Sequence, residues 1–292
     1  MNNQNIQTFV HSDLDGVCSY LVLCWLYGKK LDVIGTTPMK LEQDYDKFAS
    51  LNKQYDKLYF LDLDVSKIGE RIDNKNVVIL DHHKTNLYPF KNAIARIYNE
   101  TSCAKLIYDT FFKNSEKKLS NAQKTLIALA DDWDSNKKET PLSEGLNIVY
   151  HSMSNKLNSF VEDYYNGFTP FDKFKQNTIS LHHKHKKEYL SSLQPFIGNI
   201  EFEGVQLKVG AVFCENFVQD CCDFLFSKFD IDISIGVLIN QKRIAVRRHP
   251  SNTKIDVSKF VQRIASGGGH EAAAGGYITE EFQEFTKMLH PI

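Results

Sequence analysis

The chain has 292 residues, enough for two domains of ordinary size, and 42% are hydrophobic, with 20 Phe and 13 Tyr available to fill a core. A formal net charge of −1 excludes a wholesale polycationic nucleic-acid binder but permits a local basic groove. The six cysteines show no CxxC and no zinc-type spacing, the start Met-Asn-Asn-Gln-Asn lacks a signal region, and no apolar run reaches membrane-span length. Reduced, buried thiols in a soluble, cytoplasmic protein with no membrane partner are therefore expected.

Ile6–Val10 reads as a short strand that leaves into His11-Ser12-Asp13-Leu14-Asp15-Gly16. Val17–Tyr27 is apolar nearly all round, which predicts a buried helix ending at Gly28. A strand over Leu31–Thr36, a polar helix over Asp44–Asn52 and a strand over Lys57–Asp62 follow. If that last strand persists, Asp62 and Asp64 project the same way, because side chains alternate along a strand. Ile68–Ile72 is a short helix. Val77–Leu80, with two valines and an isoleucine, is a buried strand that runs straight into Asp81, His82 and His83. Thr101 or Ser102 should cap a helix over Ala104–Phe112, and Ser120–Asp131 is a helix whose end carries Asp131-Asp132-Trp133-Asp134. From Pro141 to about Pro195 the pattern is helical, and the run Leu181–Glu188 (LHHKHKKE) reads as a solvated helix face. A different composition begins near Ile200. Val205–Phe213 and Ile231–Asn240 are strand-like, the latter turning at Gln241-Lys242 into Arg243–Arg247. A helix over Val257–Ala265 then leads into a glycine-rich loop, Ser266–Gly276. Strands alternating with helices give the fold class: α/β, with an N-terminal doubly wound, mostly parallel sheet and a smaller α/β domain beyond a helical connection.

Acidic or histidine-bearing clusters thus fall in four similar places, where open α/β sheets put their ligands. One Asp-His-His tripeptide alone would be a surface turn; four such clusters in one sheet are a stronger signal. Carboxylates with imidazoles suit Mn²⁺ or Mg²⁺ better than structural zinc, which favours thiolate. Two cations about 3.5–4 Å apart can stabilise both the attacking and leaving oxygens of phosphoryl transfer. The constellation therefore points to phosphoester or phosphoanhydride hydrolysis. Near the C-terminus, Gly267, Gly268 and Gly269 would let backbone approach a phosphate or base, with His270 as a donor. The bland alternative there is a tight glycine turn packed on a neighbour.

These residues carry a family resemblance. HSDLDG, the Asp62/Asp64 pair, LDHHKTN and the aspartates near position 134 resemble the four motifs of the DHH phosphoesterases. GGGHEAAAG at Gly267–Gly275 matches the GGGHxxAAG pattern of the DHHA1 domain that follows them. The first motif departs from the commoner HxNPDxD form and is similar to an HxDxDG subgroup. The resemblance implies a DHH catalytic domain over 1–155, a helical connection over 156–195 and a DHHA1 substrate-binding domain over 196–292. It implies that His11 and Asp13 hold one metal, that Asp15, His82 and Asp134 hold the other, and that Asp62 bridges them. Asp64 is the alternative to Asp62, and Asp131 to Asp134. His83 would face the scissile phosphate and Asp81 would fix an imidazole. Arg247 resembles the arginine that grips substrate phosphate, with Arg248 as its alternate. The implied activity is hydrolysis of short oligonucleotides (nano-RNA) or small nucleotides to mononucleotides by two Mn²⁺ ions, with Mg²⁺ or Co²⁺ as substitutes. A cyclic-dinucleotide or pAp phosphohydrolase and a single-strand exonuclease are the enzymatic alternatives; a nucleotide-binding regulatory module is the non-enzymatic one. A homodimer is compatible with all of these.

Overall fold

A computed structural model describes residues 4–98 and 101–291 of the chain. Two compact units divide it, Met1–Ser180 and Leu181–Ile292. In chain order the first unit contains β1 (Ile6–His11), α1 (Leu14–Tyr27), β2 (Asp32–Thr36), α2 (Leu41–Ser50), β3 (Lys57–Leu61), α3 (Gly69–Ile72), β4 (Val77–Asp81) and β5 (Ile94–Ile97). Helices α4 (Cys103–Phe111), α5 (Asn121–Asp134), α6 (Pro141–Ser152) and α7 (Lys156–Tyr164) complete it, and α8 (Lys173–Ser192) runs across the unit boundary with no buried residue.

The first sheet is parallel throughout, in the order β2-β1-β3-β4-β5. Strand order reverses between β1 and β3, which is where a doubly wound sheet opens a crevice at the carboxyl ends of its strands. Both faces are covered. Val10, Leu61 and Leu80 pack with α1, α4 and α5 on one side, whereas Phe9, Phe60 and Ile79 pack with Phe48 and Ile72 on the other. Residues Leu14 to Trp25 of α1 are all buried, as the all-round apolar pattern predicts, and Gly28 ends the helix at φ 70°. The short edge strand β5 was not anticipated. It reads IARI, is almost wholly exposed, and gives no alternation to detect.

The second unit contains β6 (Phe196–Phe202), β7 (Val205–Phe213), α9 (Val218–Lys228), β8 (Ile233–Leu238), β9 (Arg243–Arg248), α10 (Val257–Ile264), β10 (Ala265–His270), β11 (Ala273–Ile278), α11 (Glu280–Thr286) and β12 (His290–Pro291). Its sheet runs β10-β11-β9-β8-β7-β6-β12, antiparallel except for β7 and β8. Phe260 and Val261 of α10 pack with Val246 and Ala274 in one core; Cys221 and Leu225 of α9 pack with Val212 in another. One expectation is corrected here. The stretch Ser266–Gly276 is no loop but a hairpin of two paired strands, because glycine and alanine let β10 and β11 lie against each other without side chains intervening. At Gly267 an added Cβ would meet the Gly275 carbonyl oxygen at 2.1 Å. All six cysteines are buried and unpaired in disulfides. Among the described residues no helix is long and apolar enough to cross a membrane.

Candidate metal centre

Four chain segments deliver side chains to the carboxyl edge of the first sheet. His11 ends β1. Asp13 caps α1, accepting the Gly16 N–H at 2.9 Å, and Asp15 lies in the first turn of that helix. Asp15 is buried, and its two oxygens accept the Cys103 N–H at 2.6 Å and the Ala104 N–H at 2.9 Å, the free amides that open α4. Asp62 follows β3 with φ at 57°, a left-handed conformation that aspartate tolerates better than most residues. Asp134 is the last residue of α5.

That turn at Asp62 corrects the expected alternation. The strand stops at Leu61, so Asp62 and Asp64 do not project alike. Asp62 is 1% exposed and faces the histidines. Asp64 instead accepts the Ser66 N–H at 2.9 Å and ties down the following turn. Asp131 is likewise turned elsewhere: it accepts the Ser102 N–H at 2.9 Å and the Lys137 ammonium at 2.6 Å.

Three groups of donor atoms, each mutually within 4.8 Å, are brought together: His11, Asp13 and Asp62; Asp15, His82 and Asp134; and Asp62, His82 and His83. Asp62 belongs to two of them and His82 to two. His82 Nε2 is 3.1 Å from Asp62, 3.5 Å from Asp134 and 3.9 Å from Asp15. His11 Nδ1 is 2.8 Å from Asp13 and 3.4 Å from Asp62. None of these contacts is aligned as a hydrogen bond for His11 Nδ1, either Asp62 oxygen or Asp134 Oδ2, which are buried without a partner. Such orphaned atoms are rare in proteins and costly. Hard oxygen and imidazole donors that converge and lack other partners fit divalent cations of the Mn²⁺ or Mg²⁺ type.

The electrostatics point the same way. Burial, reinforced by neighbouring carboxylates, pushes Asp15 well above the usual carboxylate range, raises Asp62 and raises Asp134 to about 6. Burial would lower the imidazoles, but Asp13 and Asp62 outweigh it at His11, raising it to about 10, and Asp62 and Asp15 do so at His82, raising it to about 9. Carboxylates resisting ionisation beside imidazoles that retain protons describe a cluster short of positive charge.

Asp81, at the end of β4, is fully buried and hydrogen-bonded on both oxygens. Oδ1 meets the His82 N–H at 2.8 Å and His83 Nδ1 at 2.7 Å, while Oδ2 accepts from Asn86 Nδ2 at 2.7 Å. The hydrogen bond to Asp81, against the effect of burial, raises His83 to about 9. Asn86 also donates to the Leu63 carbonyl at 3.2 Å and so links the segments after β3 and β4. Sequence reasoning missed Asn86, although it stands in the LDHHKTN motif; a short polar side chain five residues past a buried aspartate was the available signal. The α4 amides that hold Asp15 carry no side-chain signal at all.

In the second unit, register sets His270 opposite Ala273 and Ala273 opposite Arg247. Opposed residues share a face, so Arg247 and His270 stand on one side of the sheet, two strand spacings or about 10 Å apart. Arg248 points otherwise, its guanidinium donating to the carbonyls of Thr253 at 2.9 Å and Ile255 at 3.0 Å. Strand packing accounts for Gly267 and Gly269, whereas Gly268 has no neighbour nearer than 3.8 Å to an added Cβ.

A parallel α/β unit with an acid-histidine centre at its switch point, followed by a mixed-sheet unit, defines the class of protein. Residues 218–291 match the DHHA1 domain family. The fold resembles that of a pGpG-specific phosphodiesterase, PggH of Vibrio cholerae, over 97% of this chain and 96% of that one, with TM-score 0.61 and 14% identity. It resembles the DHH domain of a protein grouped with a family of ribosomal proteins over 97% and 86%, with TM-score 0.65 and 12% identity. The exonuclease RecJ bound to manganese is similar over 97% and 88%, with TM-score 0.56 and 13% identity. No curated protein matches the sequence. Residues 218–291 thus carry a DHHA1 domain, and the chain as a whole shares its fold with these solved structures.

Proposed function

We propose that this chain is a divalent-cation-dependent phosphodiesterase that hydrolyses short oligonucleotides or small nucleotides to mononucleotides, with Mn²⁺ as its preferred ion. The observation that carries this reading is the convergence of His11, Asp13, Asp15, Asp62, His82 and Asp134, with His11 Nδ1, both Asp62 oxygens and Asp134 Oδ2 buried without a hydrogen-bond partner. His11, Asp13 and Asp62 would hold one cation, and Asp15, His82 and Asp134 would hold the other. Bound there, the ions supply charge neutralisation for the phosphate and its attacking and leaving oxygens. The protein's own part is positioning. The α4 amides fix Asp15, and Asp81 fixes the His83 imidazole and the backbone N–H of His82. With Nδ1 committed to Asp81, His83 presents Nε2 to the substrate phosphate, and its raised pKa keeps a proton there at neutral pH. In this division of labour residues 1–155 perform the chemistry, 156–195 connect, and 196–292 bind substrate. Manganese in the RecJ structure and the substrate named for PggH support the choice of ion and of short nucleotides.

The test is a panel of 5′-labelled di- to decanucleotides, cyclic dinucleotides and pAp, incubated with Mn²⁺ or with EDTA and resolved by product. Short linear chains should be degraded to mononucleotides in Mn²⁺ only. Preference for a cyclic dinucleotide or for pAp would replace the substrate assignment, and turnover of none would leave a binding module.

Two further outcomes follow. Asn86→Ala removes a hydrogen bond from the buried Asp81 carboxylate, and second-layer losses of this kind reduce metal affinity or activity about ten- to a hundredfold. Unchanged Mn²⁺ titration and turnover would show that Asp81 needs no support from Asn86. Arg247→Ala and His270→Ala should each cut trinucleotide hydrolysis about ten- to a hundredfold, the worth of one charged hydrogen bond, while sparing bis-p-nitrophenyl phosphate. Equal losses on both substrates would mean that these residues support the fold and not the substrate.

A further inference from the structure

Beside the metal centre, and within the first unit alone, lies a cavity of about 440 Å³. It opens where the loop after β1, the end of β2 and the turn from α6 into α7 meet. Ser12 enters its wall and stands between His11 and Asp13, so the cavity begins one residue from two of the converging donors. Its apolar surface comes from Val33 of β2, Leu157 of α7 and the buried Tyr150 in the last turn of α6. Ser154, Asn155 and Asn158 supply the polar rim, and none of their side chains has a hydrogen-bond partner among the described residues. Asn155 stands at the N-cap position of α7 without capping it, which leaves its amide for another partner. No carboxylate is among the lining residues. The cation there, Lys156, is exposed and already bonded to His151 Nδ1 at 3.2 Å.

We propose that this cavity is a nucleobase subsite: it takes the base and sugar of a nucleotide whose phosphate lies at the metal centre, with Asn155 and Asn158 reading the base edge. The assignment rests on the phosphodiesterase reading for the phosphate and adds to it the place of the base. Neutral amides and hydroxyls beside aliphatic and aromatic walls match a base, which offers a flat apolar face and an edge of donors and acceptors. A second phosphate fits poorly, because the one ammonium in the lining already has a partner. A further cation fits no better for want of a carboxylate. The volume falls within the range of small-ligand pockets and admits a nucleoside. Gly35 keeps the wall nearest the metal ligands thin: an added Cβ would meet Leu157 Cδ1 at 3.1 Å and Ser12 Oγ at 3.2 Å.

The experiment pairs two readouts on the full chain. Turnover in Mn²⁺ is compared on the dinucleotide pApA and on analogues abasic at its first or second position, and adenosine is titrated calorimetrically in EDTA. Loss of the base that enters the cavity should lower kcat/KM by about ten- to a hundredfold, the worth of a stacked base with its edge bonds. In the double variant Asn155→Ala/Asn158→Ala that abasic loss should shrink at least about fivefold, and adenosine should bind at least about tenfold more weakly. Melting temperature should not change, since both side chains are exposed. Ser154→Trp, which fills the cavity from an exposed turn, should act in the same way. Where the chain hydrolyses pApA, an abasic loss unaltered by these substitutions overturns the subsite and leaves the phosphodiesterase reading standing. Where it hydrolyses no diester, that reading falls by itself. Adenosine binding with Kd below about 1 mM that needs Asn155 and Asn158 then keeps the subsite, and its absence overturns the subsite also.

Discussion

Asp62→Asn should eliminate metal-dependent hydrolysis while making the metal-free protein more stable. Asp62 is 1% exposed, has no hydrogen-bond partner on either oxygen, and is pushed upward in pKa by burial and by Asp13. Burial and Asp13 outweigh the opposing pull of His11 and His82 on Asp62, so its ionised form is a net cost to the metal-free folded chain. Asparagine keeps the shape, removes the charge and still tolerates the left-handed backbone at φ 57°, where alanine would be strained. For a unit of this size each kcal/mol gained shifts Tm by about 2–4 °C. On the proposed function activity should fall by about a thousandfold or more, because Asp62 would be a ligand to both cations. The measurements are Tm in EDTA and turnover in Mn²⁺ on the same preparation. A lower Tm would show that Asp62 is held by the fold and is not strained for function; retained turnover would remove it from the centre.

Mn²⁺ affinity should rise steeply with pH, by roughly ten- to a hundredfold per unit between pH 6 and 8. Before metal binds, His11 and His82 titrate near 10 and 9, so both carry protons at pH 7. Each must release its proton to become a ligand, and Asp134, near 6, contributes at the acid end. One to two protons released per binding event set the slope. The same shifts dictate the stability of the metal-free protein. Each of these pKa values is raised in the folded state, so the folded chain binds more protons than the unfolded one. The stabilisation they give is present at low pH and is lost as pH rises, from about 4 to 6 for Asp134 and from about 6.5 to 10 for the imidazoles. The gap between Tm with and without Mn²⁺ must therefore widen from pH 6 to pH 8. A flat Mn²⁺ affinity over that range, measured in matched ionic strength, would mean that the imidazoles are neutral before metal arrives and do not share a site with the carboxylates.

Much of this architecture was legible in the residues themselves. The all-apolar run after Gly16 could only be a buried helix, and VVIL could only be a core strand; each pattern is a local consequence of burial and period. Motif spacing placed the acidic residues at the ends of strands and helices. The choice between Asp131 and Asp134 was not available locally, since residues three apart on a helix share nearly the same face. It depends on Lys137 and on the start of α4, which turn Asp131 toward the Ser102 N–H. Edge strand β5 and helix α9 escaped notice because neither has a clean amphipathic period: β5 is exposed on both faces, and α9 buries only Cys221, Cys222 and Leu225.

The sequence by itself determined which elements form, which donor types are present and at which element ends they stand, because these follow from side-chain chemistry and short-range periodicity. Tertiary structure decided which donors meet. Asp15 is held by amides 88 and 89 residues away, Asp62 leaves its strand by a left-handed turn, and Asn86 joins two segments through Asp81. The glycine run became a hairpin because a partner strand lies close enough to require it. These outcomes depend on strand order and packing across the whole sheet, which no local window contains.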